Sequence, residues 1–328
     1  MKYTKNDIQI FIPTYNRPGF LRQALESALN QNAGPLDITV LDNSTNNETE
    51  KLCLKYGDCL KYVHSSLPGA NMPRLQETAS KEFIALLHDD DLWHPDFIRT
   101  CLDALNAKND ISIILSNPTT FFDTNEIKFS DRLQREGYYL NSPESFAASF
   151  WTNIGGMWTG SVYKNEAFKK INFAELNKKY GKISDVIMLN EMFKDAAFIL
   201  KDRQAVFYRR HKEQDLHNDA TAIKSEQLLN YIKFYRKFFM KEKSLKEIWT
   251  LRAGTHIKSN YECMLNNESK KQYPAWESFA GMLMKEDLLD GKTIFYAKRR
   301  KNLFYRFVTF PLSLYYRNNY FSEKLITF

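Results

Sequence analysis

The chain has 328 residues, of which 43% are hydrophobic and 26% charged, with 12 Gly and 10 Pro. This is the composition of a folded protein with a sizeable core, long enough for one α/β unit and an extension, and it excludes a disordered or fibrous chain. A formal charge of +7 and a pI near 9.0 point to an anionic partner: nucleic acid, a phospholipid surface or a phosphorylated small molecule.

Four cysteines (Cys53, Cys59, Cys101, Cys263) form no C-x-x-C pair and are too sparse for a disulfide framework. They read as free thiols in a reducing, cytosolic compartment. Met1 to Asp7 runs into a strand without an apolar leader, and no stretch reaches the roughly 18 uninterrupted apolar residues of a spanning helix.

In chain order, Ile8–Ile12 is a short apolar strand closed by Pro13-Thr-Tyr-Asn-Arg-Pro18. From Gly19 to Gln31, Phe20, Leu21, Ala24, Leu25, Ala28 and Leu29 share one helical face. Ile38–Leu41 is a second strand, ending in Asp42-Asn-Ser-Thr45. Helices at Glu48–Tyr56 and Met72–Ala79 alternate with strands at Leu60–Val63 and Phe83–Leu87. That alternation predicts a parallel sheet with right-handed crossovers, and therefore a ligand site at the carboxyl ends of the strands.

Ile111–Ser116 is another strand, and the stretch to about Phe150 is irregular. Ser142 caps a helix, and the glycine-bearing loop Gly155–Gly160 precedes the strand Ser161–Tyr163. Composition turns helical and lysine-rich from Thr221 to Lys246, which sets a boundary near residue 216. The expected organisation is a catalytic domain at 1–215, with a nucleotide-binding half at 1–105 and an acceptor half at 106–215. A helical extension at 216–328 follows. Its tail, 292–328, interleaves Lys298-Arg-Arg-Lys301 with eleven aromatics and holds one acid, Glu323.

Three consecutive carboxylates, Asp89-Asp90-Asp91, follow the buried run Phe83–Leu87. Adjacent like charges repel, so a cation is their natural compensation, and hard oxygen ligands suit Mg²⁺ or Mn²⁺ shared with substrate phosphates. A single aspartate there would cap the next helix; three exceed what a cap needs. Asp42 either accepts hydrogen bonds from a base or ribose, or closes an Asx turn. Neither a Walker loop nor a G-x-G-x-x-G occurs, which argues against P-loop NTPases and dinucleotide oxidoreductases.

In this order (strand, P-T-Y-N-R-P, helix, strand, D-N-S-T, strand, D-D-D), residues 7–215 resemble the inverting family 2 glycosyltransferases of the GT-A fold. The resemblance implies a Rossmann-like, mostly parallel α/β sheet and transfer of a sugar from a nucleoside-diphosphate donor, a UDP-sugar first, to a hydroxyl. The acceptor it implies is a glycan or lipid-linked glycan, in bacterial surface-polysaccharide or lipopolysaccharide synthesis. Pro13, Thr14, Tyr15, Arg17 and Asp42 correspond to nucleotide contacts. Asp89 and Asp90 handle ribose and metal, and Asp91 is the foremost direct metal ligand. Two departures stand out: Asn43 replaces a second carboxylate common in that family, and His88 precedes the triplet as a packing or orienting residue.

Asp185, in Gly181-Lys-Ile-Ser-Asp-Val, matches the family's catalytic base, with a helix N-cap as the competing role. In Phe207-Tyr-Arg-Arg-His211, the histidine matches one that approaches metal or diphosphate, and Arg209 and Arg210 are placed to neutralise the diphosphate. Arg74 is a further diphosphate or base candidate. The basic aromatic tail suits peripheral contact with the inner face of a membrane, or packing on the core. No nucleic-acid motif accompanies it.

Overall fold

The structure, a computed structural model, describes residues 2–67, 69–152, 154–212, 225–264, 276–298 and 303–328. The strands in chain order are β1 (Ile8–Thr14), β2 (Asp37–Asp42), β3 (Lys61–His64), β4 (Phe83–Leu86), β5 (Leu92–Trp93) and β6 (Ile111–Ser116). They continue with β7 (Thr119–Phe121), β8 (Glu136–Leu140), β9 (Met157–Lys164), β10 (Ala196–Leu200), β11 (Val206–Arg209) and β12 (Leu325–Thr327). Nine of these form one sheet in the order β12-β8-β10-β6-β9-β4-β1-β2-β3, and β5-β11-β7 form a small second sheet.

The parallel order expected from sequence holds through β3-β2-β1-β4, with Ile10 opposite Ile38 and Ala85. Strand β9 then enters antiparallel between β4 and β6, so the sheet as a whole is mixed. The chain winds outward from β1 to β3 and returns to β4 on the other side of β1. Strands β1 and β4 therefore flank a topological switch point, where the loops after two adjacent parallel strands face one another.

Helices cover both faces. On one, α1 (Pro18–Leu29) buries Leu21, Ala24, Leu25 and Ala28, and α4 (Phe97–Ala107) buries Phe97, Ile98, Cys101 and Leu105 against Ile8, Ile10 and Ile12. The period-two alternation of β1 sends Phe11 to the opposite core. Each fully buried Ile, Leu or Phe contributes roughly 1.5–3 kcal/mol, so the two cores fix the strand register that the site depends on. The remaining early helices are α2 (Glu48–Leu54) and α3 (Asn71–Thr78), within a residue or two of expectation.

On the second face lie α5 (Pro143–Trp151), α6 (Asn165–Phe168), α7 (Phe173–Tyr180) and α8 (Ser184–Met192). Ser142 caps α5 as expected, accepting from the Ser145 amide at 3.1 Å. The helices α9 (Ser225–Phe239), α10 (Lys243–Met264), α11 (Trp276–Lys285), α12 (Gly291–Lys298) and α13 (Leu303–Ser322) follow. Leu228, Tyr231, Ile232 and Tyr235 of α9 share a core with Trp151 and Phe146 of α5. The composition boundary near residue 216 lies outside the described residues.

The tail returns to the sheet. Phe321 is buried, β12 pairs antiparallel with β8 (Leu325 opposite Tyr138), and the Phe328 ring sits 5.0 Å from Phe198. No helix among the described residues is long and apolar enough to cross a membrane.

Candidate active site

The switch point brings Thr14 and Arg17, from the β1 loop, onto the carboxylates that follow β4. The Thr14 hydroxyl donates to Asp89 Oδ2 at 2.7 Å, and Arg17 bridges Asp89 Oδ1 and Asp90 Oδ2, both at 3.0 Å. The third side of the turn comes from β11. The Arg209 amide donates to Asp91 Oδ1 at 2.9 Å and its Nε to the Asp90 carbonyl at 2.8 Å, while His211 Nε2 lies 3.0 Å from Asp90 Oδ2. Arg209 is buried, its guanidinium between the rings of Phe20 and Phe121 at 4.9 and 4.5 Å. Held in this way, Arg209 braces the turn.

The electrostatics of the three aspartates differ. Burial pushes Asp89 up to about 7, opposed by the Arg17 charge. Burial also works against ionised Asp90, but the His88 charge, the His211 hydrogen bond and Arg17 outweigh it and hold that carboxyl below its ordinary value. Burial, then the charge of Asp90, push Asp91 well above the carboxylate range, with Thr159 and the Arg209 amide opposing.

Asp91 Oδ2 is fully buried and makes no hydrogen bond among the described residues, with His88 Nδ1 at 3.8 Å. A buried acceptor left without a partner costs about 1–3 kcal/mol, more if charged. His88, Asp90 and Asp91 each offer one ligand atom, all within 4.8 Å of one another. Two carboxylate oxygens suit Mn²⁺ or Mg²⁺, the imidazole nitrogen favours the transition metal of the two, and the oxygen without a hydrogen bond is what such an ion would satisfy.

His88, read from sequence as a packing or orienting residue, thus joins the acidic pair. Its spacing of three from Asp91 in a tight turn was the available signal. Asp89 is turned toward Thr14 and Arg17, and His211 reaches the group through Asp90.

Asp42 is wholly buried at the end of β2. Its Oδ1 accepts the Ser44 amide at 2.8 Å, forming the Asx turn, and its Oδ2 accepts the Tyr62 hydroxyl at 2.7 Å. That turn is tied to the β1 loop: the Asn16 amide donates to Ser44 Oγ at 2.8 Å and the Thr45 amide donates to Asn16 Oδ1 at 3.0 Å. Asn16 sits at φ 53, a left-handed conformation that asparagine tolerates. The consequence is Tyr15, held 53% exposed at the strand's carboxyl edge, just beyond half-buried Pro13. Arg210 is exposed, and Arg74 pairs with Glu77 at 2.9 Å on the outer side of α3; neither bonds to the aspartates among the described contacts.

Two residues on β9 complete the turn's surroundings without having been singled out. Thr159 Oγ1 lies 3.5 Å from the His88 amide, and the Trp158 ring is 6.0 Å from the His88 ring. Gly160 lets β9 pass close to β11. Its φ is +66, and a Cβ there would lie 2.3 Å from Val206 Cγ2.

Asp185 stands in the first turn of α8, and its Oδ1 accepts the Val186 amide at 2.8 Å. The N-cap itself is Ile183, which makes no side-chain cap. Burial raises the Asp185 carboxyl from 3.8 to about 6, only partly offset by backbone hydrogen bonds.

A mixed sheet with a parallel nucleotide-side half, an acidic turn at its switch point and helices on both faces is the GT-A architecture of nucleotide-diphospho-sugar transferases. The first 349 residues of Staphylococcus aureus TarS, solved in complex with UDP-GlcNAc, superpose with a TM-score of 0.59 at 14% identity, over 95% of this chain and 87% of that one. The glycosyl transferase family 2 model matches residues 9–172, half of the chain, and the protein belongs to that family.

Among its relatives is the uncharacterized glycosyltransferase RP339 of Rickettsia prowazekii, 30% identical over 111 residues, which take in 33% of this chain and 35% of that one. Another is the uncharacterized glycosyltransferase YibD of Escherichia coli, 24% identical over 185 residues, 52% of each chain. The match thus spans about a third to a half of the length of these relatives.

Proposed function

We propose that the protein transfers a sugar from a UDP-sugar to a hydroxyl of a glycan or lipid-linked glycan, with inversion, in bacterial surface-polysaccharide synthesis. The observation behind this reading is the group of half-buried His88 with buried Asp90 and Asp91 at the sheet's switch point, where one Asp91 oxygen makes no hydrogen bond. The UDP-GlcNAc complex of the structurally similar TarS chain supports UDP as the carrier.

In this reading residues 1–215 form the catalytic unit and 216–328 its extension. Tyr15, with Pro13 beneath it, offers a face for the uracil, and the Asp42 turn holds that loop in shape rather than touching the base. Thr14 and Arg17 fix Asp89 for the ribose side, and Arg210 is the free-standing cation nearest in sequence to the clamp on the diphosphate. His88, Asp90 and Asp91 hold the divalent ion, with His211 steadying Asp90. The ion, when bound, supplies positive charge to the departing diphosphate.

Asp185 accepts the proton of the acceptor hydroxyl as that oxygen bonds to the anomeric carbon and the bond from that carbon to the diphosphate oxygen breaks. The proton ends on the carboxylate, the electron pair on UDP, and the anomeric configuration inverts.

The test is a panel of nucleotide-sugars incubated with and without Mn²⁺, reading free nucleoside diphosphate. Metal-dependent UDP release from one donor names the sugar. Failure to release or bind any nucleotide in Mn²⁺ overturns the reading.

Membrane contact is part of the same proposal. The C-terminal helices expose large apolar side chains at Met282 and Met284 of α11 and Leu312 and Tyr315 of α13. Such groups beside lysines suit the interface of an anionic bilayer. Truncation before Lys292 would also delete β12, so the sharper experiment changes these four residues to Ser. Loss of co-flotation with phosphatidylglycerol vesicles is expected, and unchanged flotation removes the membrane from the proposal.

A further inference from the structure

A polar cavity of about 250 Å³ lies between the first turns of α4 and the segment leading into β8, lined by Asp96, Arg99, Thr100, Arg132, Leu133 and Arg135. It shares no residue with the aspartate turn. Arg135 is matched by Asp103 at 2.7 Å, whereas among the described residues the guanidiniums of Arg99 and Arg132 make no ion pair or hydrogen bond. Two guanidiniums therefore face one cavity with a single carboxylate, Asp96, whose Oδ1 already accepts from Asn32 at 2.8 Å.

The cavity also receives the positive end of an 11-residue helix. Its walls are firm. Leu133 is buried in the core, the Gln134 amide donates to Asp202 Oδ2 at 2.9 Å, and His94 Nε2 lies 2.8 Å from the Ser130 carbonyl. A preformed wall reduces the ordering cost of binding.

We infer that this cavity binds one anionic sugar unit of the acceptor chain, its carboxylate or phosphate on Arg99 and Arg132 and its hydroxyls on Asp96 and Thr100. Guanidinium forks match planar carboxylates and phosphates in two-point contacts. A lone carboxylate beside them is wasted on a bare anion but useful to a hydroxyl-bearing one. Size selects the same ligand: about 250 Å³ falls below the roughly 300–1,000 Å³ of pockets for drug-sized molecules, so one sugar residue fits and a nucleotide-sugar does not. The assignment of the ligand to the acceptor rests on the transferase reading above; the binding itself does not.

The experiment is calorimetric titration of the full chain with trigalacturonate, glucose 6-phosphate, inorganic phosphate and neutral maltotriose, on wild type and on Arg99→Gln/Arg132→Gln. Both arginines are exposed, so the double variant should fold, which an unchanged melting midpoint and unchanged UDP binding in Mn²⁺ would establish. Trigalacturonate or glucose 6-phosphate is expected to bind wild type at least about tenfold more tightly than the variant, and whichever binds identifies carboxylate or phosphate as the anion. Maltotriose should not bind.

Inorganic phosphate binding as tightly as glucose 6-phosphate, with no trigalacturonate binding, would overturn the sugar assignment. Equal binding by the variant, or no binding of any anion, would overturn the site. These outcomes are read without turnover. Should the pocket bind its ligand while no nucleotide-sugar is hydrolysed, the transferase mechanism fails and the pocket stands.

Discussion

Asp91→Ala is expected to abolish metal-dependent release of UDP from the preferred donor, by about 10²–10³-fold or more, the scale on which removing one charge-stabilising group acts. The physical reason is local. Asp91 presents one oxygen to the Arg209 amide at 2.9 Å and keeps the other buried and without a hydrogen bond, with His88 Nδ1 3.8 Å away. Burial and the Asp90 charge make its ionised form costly unless a cation is present. A metal that binds the folded chain but not the unfolded one raises the melting midpoint by mass action.

Wild type should therefore gain thermal stability with Mn²⁺ and UDP together, and Asp91→Ala should not. Without metal, the variant should melt near wild type, since losing an uncompensated carboxylate offsets the lost amide hydrogen bond. A wild-type midpoint that ignores Mn²⁺ and UDP would remove Asp91 from the metal site, whatever the activity of the variant.

The part of the site readable from sequence lies where local order and chemistry coincide. The strand, loop, helix rhythm of residues 8–87 places Thr14, Arg17 and the three aspartates at one sheet edge, because parallel β-α-β units allow few other arrangements. What pairs with them was not local. Arg209 meets Asp91 across 118 residues, and the pairing of β11 with β5 on one side and β7 on the other sets that contact.

Asp42 offered two roles in one dimension; in the structure its Oδ1 closes the Asx turn on the Ser44 amide and its Oδ2 accepts the Tyr62 hydroxyl. Strands β7 and β8 escaped notice because the irregular stretch from 117 to 150 lacks a sustained period, and three- to five-residue strands give too few alternations to read. Packing of the tail on the core was one of two roles open in the sequence, but its last strand was hidden. Leu325-Ile-Thr327 becomes a strand only because the edge of β8 is open to it.

The acceptor chemistry yields the other large effect. Replacing Asp185 with Asn should lower kcat for donor hydrolysis, with water as the acceptor, by about 10²–10⁴-fold, the usual contribution of a general base. UDP affinity in Mn²⁺ should stay within about twofold, because the base acts chiefly in the transition state. The pH dependence follows from the raised carboxyl. Burial moves Asp185 from 3.8 to about 6, so below pH 6 the protonated, inactive form accumulates and kcat/KM should fall about tenfold per unit, levelling off above it. An ordinary surface carboxylate would place that limb two units lower.

Stability has the opposite sense. A folded value above the unfolded one means that ionising Asp185 costs stability, so this contribution is lost as pH rises from about 4 to about 6. Asp185→Asn, which cannot ionise, should melt at or above the wild-type midpoint at pH 7. A variant that loses activity by unfolding would show the reverse, and one that keeps the acid limb near 6 would assign the base to another carboxylate.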